Sequence, residues 1–145
     1  MDTKEEATRL LWEAKEDLDR AIRYSELKDW VTVTHYAQLA IEKSAKALIS
    51  CFEAFNWTHD PSGQLKRLVE EGHLHDGFLE VATYAKEAAP WHGRSTYGGL
   101  RNGLWRSPSE LCTEEAATEL VGKARRSVNK ATGFVETFFG EDDGA

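Results

Sequence analysis

The residues able to do chemistry in this chain of 145 residues gather in one stretch. Residues 91–130 hold Arg94, Arg101, Arg106, Lys123, Arg125, Arg126 and Lys130 against four glutamates, inside a protein whose formal net charge is −7. A basic segment in an acidic protein marks an anion site, or it complements a helix C-terminus. Arg94, Tyr97, Arg101, Asn102 and Arg106 lie there among glycines. Guanidinium groups grip phosphate through paired N–H donors, and Tyr and Asn add hydrogen bonds. These five residues are the candidate phosphate site. Trp91 and Trp105 flank the stretch, and indoles stack on a nucleic-acid base or cover a core or an interface. A second reading of Arg94 and Tyr97 is that they fix this stretch onto the fold or close a contact between two copies.

The histidines and cysteines carry less. His73 and His75 are two apart, with His59-Asp60 and His92 elsewhere. A zinc site needs three or four ligands at fixed spacing with outer-shell support. The sequence shows no such spacing, so no metal and no cofactor is expected, and His59 reads as a hydrogen-bonding residue at a helix start. Cys51 falls in an apolar stripe and reads as an inert core thiol. Cys112 precedes a helix N-terminus, a place that lowers a thiol's pKa, but no base accompanies it. Two cysteines make no disulfide framework, which fits a reducing cytoplasm. No glycine loop ends in Lys-Ser/Thr, so a kinase or GTPase reading is unsupported.

Helices must position these groups. At 41% hydrophobic and 30% charged, the chain is too apolar for intrinsic disorder and too charged for a membrane protein. No apolar run approaches the ~18 residues of a spanning helix, and the acidic start, Met1 to Glu6, is no secretory signal. Thr3 to Glu6 matches a capping box. Ala7, Leu10, Leu11, Ala14, Leu18, Ala21 and Ile22 then recur at helical steps. Asp29 predicts the N-cap of a second helix from Trp30 to about Phe55, with Val33, Ala37, Ala40, Ser44, Ala47 and Cys51 along one stripe. Asp60-Pro61 starts a short helix that Gly72 ends. A helix is predicted over His75–Ala89, with Phe78, Leu79, Ala82 and Ala85 inward, stopped by Pro90. The glycine-rich residues 90–112 predict a long loop. Thr113 caps the last helix, with Ala116, Leu120, Ala124, Val128, Ala131 and Val135 inward. The expectation is all-α: an antiparallel four- to five-helix up-and-down bundle. It forms a single domain over residues 1–139, with a flexible acidic tail over 140–145.

Four features in this order resemble the HEPN domain (higher eukaryotes and prokaryotes nucleotide-binding). The first helix has Ala14-Lys15-Glu16-Asp17-Leu18-Asp19-Arg20-Ala21. The second has Asp29-Trp30, then Ala37-Gln38-Leu39-Ala40-Ile41-Glu42-Lys43-Ser44-Ala45-Lys46-Ala47. Thr58-His59-Asp60 follows, and Arg94 and Tyr97 stand ahead of Glu114-Glu115-Ala116. The resemblance covers about residues 7–135. It implies a four-helix bundle, usually dimeric, often paired with a small nucleotidyltransferase as toxin and antitoxin. Many members are metal-independent ribonucleases, with an Arg followed by four to six residues and then a His.

That signature is broken here. Arg101-Asn102 begins it, but positions 106, 107 and 108 are Arg, Ser and Pro, and Gly99, Leu100 and Arg101 stand where Arg94 would need its His. Arg67 and His73 have the spacing but lie on the short third helix, with Leu68 after the Arg. RNA cleavage by the 2′-hydroxyl needs a base near neutral pH and a cation for the phosphorane, roles that fit His and Arg. The expectation is therefore a homodimeric nucleotide- or RNA-phosphate-binding and protein-interaction module without strong nuclease activity. It is cytoplasmic, touches no membrane, and has a nucleotidyltransferase as possible partner. The alternative is an active metal-independent endoribonuclease using Arg94 or Arg101, with His92 or His59 brought in by the fold.

Overall fold

A computed structural model describes residues 3–143, with side chains to residue 140. The elements are α1 (Thr3–Glu26), α2 (Trp30–Ser50), α3 (Ser62–Glu70), a 3-10 turn (Asp76–Phe78), α4 (Leu79–Ala88) and α5 (Pro90–Thr96). Strands β1 (Gly99–Arg101) and β2 (Leu104–Arg106), then α6 (Pro108–Leu111) and α7 (Glu114–Asp143), complete the order. The architecture is a helical bundle with α2 at its centre, touching α1, α3, α4, α5, α6 and α7. This agrees with the all-α expectation.

The long helices follow their apolar periodicity. On α1, Ala7, Leu10, Leu11, Ala14, Leu18 and Ala21 are all buried. The helix is described from Thr3 onward, and the expected capping box at its start falls at the edge of the described residues. Asp29 caps α2, its Oδ1 accepting from the Thr32 N–H at 3.2 Å. Small residues on α2, among them Ala37, Ala40, Ser44 and Ala47, are fully buried and let neighbouring backbones approach. On α7 the buried stripe is Ala117, Leu120, Ala124, Val128, Ala131 and Val135. Ala117 takes the place expected of Ala116, because a step of three to Leu120 keeps the stripe on one face. Thr113 Oγ1 accepts from the Ala116 N–H at 3.1 Å, as a cap should. The backbone of α7 runs on to Asp143, and the rest of the acidic end lies outside the described residues.

Four further expectations need correction. First, α2 ends at Ser50 and not near Phe55. The next residues turn, and Phe52 folds back to meet Phe134 and Phe138 at ring-centroid distances of 5.9 and 5.2 Å. Second, the helix predicted over His75–Ala89 starts as a 3-10 turn, with His75 Nδ1 accepting from the Gly77 N–H at 3.0 Å. Third, Leu79 points outward while Val81, Ala82, Ala85 and Ala88 are buried. Fourth, residues 90–112 are not a loop. Pro90 opens α5 from the first position, where its missing N–H is harmless. Asn102 and Gly103 have φ of 54° and 80° and form the two-residue turn of an antiparallel hairpin pairing Gly99 with Arg106, Leu100 with Trp105 and Arg101 with Leu104. Ser107 and Glu110 then make a reciprocal capping box for α6.

Candidate functional site

The structure sorts the candidate residues into two places. Arg94, Tyr97, Arg101, Asn102 and Arg106 belong to the C-terminal side of α5 and to the hairpin. His59 and His92 meet elsewhere, against α2.

The hairpin hangs on a backbone requirement at Gly98. Its φ is +87°, and a Cβ there would sit 2.1 Å from the Arg106 carbonyl oxygen. The close approach starts the ladder one residue later. Leu100 and Trp105 face each other across it and are 66% and 64% exposed. Tyr97 and Leu104 are also exposed. Arg101 ends β1 in solvent beside the Asn102-Gly103 turn, so Asn102 has a backbone reason to be there. Arg106 Nη1 donates to Glu110 Oε2 at 3.3 Å. The Arg94 guanidinium lies over the Trp91 ring, 5.1 Å from its centroid, with its aliphatic stem near Gly99. Arg94 therefore holds α5 to the hairpin as well as offering a charge.

The second place is built on α2, where Gln38, Glu42 and Lys46 follow one another at i,i+4 spacing and are all buried. Gln38 Nε2 donates to Glu42 Oε1 at 3.0 Å, and Lys46 Nζ donates to Glu42 Oε2 at 2.9 Å. The connector after α2 brings His59 Nδ1 to 3.1 Å from Glu42 Oε1. From the other side, α5 brings His92 Nδ1 to 3.0 Å from Gln38 Oε1. The His59 and His92 rings stack, with centroids 3.7 Å apart and planes 17° from parallel. His35, one turn earlier on α2, has its ring 5.7 Å from that of His92 and its Nδ1 3.1 Å from Ser95 Oγ. A surface cleft of about 380 Å³ runs beside His35, Tyr36, Ser95 and Thr96.

These contacts fix proton positions. Gln38 gives its amide N–H to Glu42, so its carbonyl faces His92 and can only accept. His92 Nδ1 is then the protonated nitrogen, and Nε2 keeps a lone pair. Burial and the neighbouring His59 lower the His92 pKa. Burial alone would raise the Glu42 pKa, but hydrogen bonds from Gln38 and Lys46 and the charges of Lys46 and His59 outweigh it and hold the carboxyl below its ordinary value.

Arg94 and His92 do not act together within one chain. Two helical positions turn by about 200°, so His92 reaches α2 while Arg94 reaches Trp91. Arg67 pairs with Glu53 and Glu71, and His73 packs on Phe52 with centroids 5.2 Å apart, so that pair forms no site. Sequence reasoning missed Gln38, Glu42 and Lys46 as a chemical unit. Their signal was present, as polar residues at helical spacing inside an apolar stripe.

The HEPN domain family profile matches residues 7–133. The chain belongs to the HEPN family. Membership makes it a nucleotide- or RNA-related helical module, in line with the resemblance carried by Asp17, Gln38, Glu42 and His59. No curated protein matches the chain. Among the described residues of this HEPN chain no helix is long and apolar enough to cross a membrane.

Proposed function

We propose that this HEPN chain is a homodimeric nucleotide- or RNA-phosphate-binding and protein-interaction module, partnered with a minimal nucleotidyltransferase and without strong nuclease activity. One observation carries the reading: the hairpin offers Arg101 to solvent together with exposed Tyr97, Leu100 and Trp105. A guanidinium binds phosphate, an aromatic face stacks on a base, and an exposed apolar surface asks for a protein cover. Arg94 and Arg106 add charge at the root of the hairpin, and Asn102 adds a polar tip. The separation of Arg94 from His92 supports a binding role over turnover.

The test is binding of a labelled single-stranded oligoribonucleotide at several salt concentrations, beside an RNA cleavage time course in EDTA. Arg101→Ala should weaken binding and reduce the salt slope by about 1. Absence of binding to RNA and to nucleotides overturns the proposal.

A second reading is favoured by the stacked His59–His92 pair, whose oriented imidazoles suit general base and general acid. It is the metal-independent endoribonuclease, with Arg94 or Arg101 supplied across a dimer. Cleavage in EDTA that is lost in His92→Ala and Arg101→Ala would establish it and remove the first.

A further inference from the structure

We propose that Glu42, His59 and His92 form a binding site for a single divalent transition-metal ion of the zinc class. One ligand atom from each lies within 4.8 Å of the other two. Two ligands bound to one tetrahedral ion at ~2.0–2.2 Å stand roughly 3.3–3.6 Å apart. Glu42 Oε1 and His59 Nδ1 are already close to that spacing, at 3.1 Å. An ion there replaces the proton they share. His92 closes the set with Nε2 once the His59 ring, 61% exposed, rotates out of its stack on His92, because the lone pairs of two near-parallel rings do not converge on one ion.

The outer shell is in place. A metal-bound His almost always donates its other ring N–H to a fixed acceptor, which sets its tautomer and aim. His92 does so to Gln38, at 3.0 Å. Lys46 occupies Glu42 Oε2 at 2.9 Å, and Oε1, which also accepts from Gln38 Nε2, serves as a single-point ligand. Two imidazoles and one carboxylate leave a position open to solvent on the His59 side, the donor set of catalytic rather than structural zinc sites. Lys46 also places a positive charge near the ion, so the affinity is below that of a closed four-ligand site. The sequence hides this arrangement because its ligands come from α2, the connector and α5. The inference does not rest on phosphate binding at the hairpin.

The experiment uses the full chain, stripped with chelator, and Zn²⁺ and Co²⁺ as probes. Zn²⁺ is titrated by calorimetry against a competing chelator, and Co²⁺ by its visible ligand-field absorption. One equivalent per chain is expected, with a raised melting temperature. His59→Ala, on an exposed ring, should abolish the Co²⁺ spectrum while leaving the circular dichroism unchanged. Gln38→Leu should weaken binding by about 10-fold or more through loss of the His92 acceptor. Replacing both His73 and His75 should leave the stoichiometry and the Co²⁺ spectrum unchanged. No stoichiometric binding, or binding that survives His59→Ala and disappears with His73 and His75, overturns the proposal.

Discussion

Lys43 Nζ donates to Asp17 Oδ2 at 2.7 Å, joining α1 to α2 through a carboxylate that is only 2% exposed. Arg20 Nη1 donates to the other oxygen of Asp17 at 3.0 Å. Asp17 is thus the one acid on the inward stripe of α1, and both its oxygens are occupied. Asp17→Ala should cost about 2–3 kcal/mol, because it leaves Lys43 with only Glu13, at 3.9 Å, and frees Arg20 from its buried acceptor. Lys43→Met should cost less, since Arg20 still holds Asp17. Urea unfolding of both variants checks the order, and equal losses would contradict it.

Gly98→Ala should release the hairpin. The added Cβ meets the Arg106 carbonyl and the residue must keep a φ of +87°, a conformation costing roughly 1–2 kcal/mol for a side-chain-bearing residue. Limited trypsin digestion should then cut after Arg101 and Arg106 much faster than in the parent, with the helical content unchanged. Asn102→Gly, which keeps the turn's positive φ, should digest like the parent.

The exposed pair Leu100 and Trp105 should sit in the contact between copies. Sedimentation should find a dimer, and Leu100→Asp or Trp105→Asp should make it a monomer with an intact bundle. A parent that sediments as a monomer refutes the assignment.

Much of this was legible in the chain and some was not. Leu10, Leu11, Ala14 and Leu18 announced α1 by spacing alone, and Asp29 and Thr113 marked helix starts that the structure keeps. The hairpin went unread because four glycines around Arg101 suggested irregular backbone. Yet Asn102-Gly103, set between Leu100-Arg101 and Leu104-Trp105-Arg106, is the strongest short-range hairpin signal there is. The meeting of His59 with His92 was not legible by any local rule. It depends on how α5 and the connector pack on α2, and tertiary packing leaves no mark at fixed sequence spacing.

Both thiols should be silent in the folded protein. Burial pushes Cys51 up to about 12 and also raises Cys112, whose contact with Thr34 offsets part of the effect. At pH 8 a thiol-specific reagent should label neither residue until denaturant is added, and then both. Rapid labelling of Cys112 in the native protein would reveal an activated thiol instead.

Acid should destabilise the fold in two stages, first below 6.5, where the unfolded chain protonates His92 before the folded one does, and again below the ordinary carboxyl range. Hydrogen bonds from Arg67 and Gln64 lower Glu53, and those from Tyr84 and Lys130 lower Glu80, each from 4.5. The unfolded chain binds these protons first, so the stabilisation is present above 4.5 and is lost as pH falls through the lower folded values. Thermal melts across pH 7 to 3 should show this, and Glu80→Gln, which uncouples α4 from Lys130 on α7, should flatten the acid limb.

The central position of α2 divides the molecule by how readily its parts open. Gln38, Glu42 and Lys46 sit on a helix packed against six others, so their amides should exchange with solvent only when the whole domain unfolds. The hairpin, tied down at Gly98 and exposed along Leu100 and Trp105, should open by itself many times for each such event. The surface that offers Arg101 is therefore adaptable and can mould itself to what it meets. Glu42, by contrast, is held in place by the core helix that carries it.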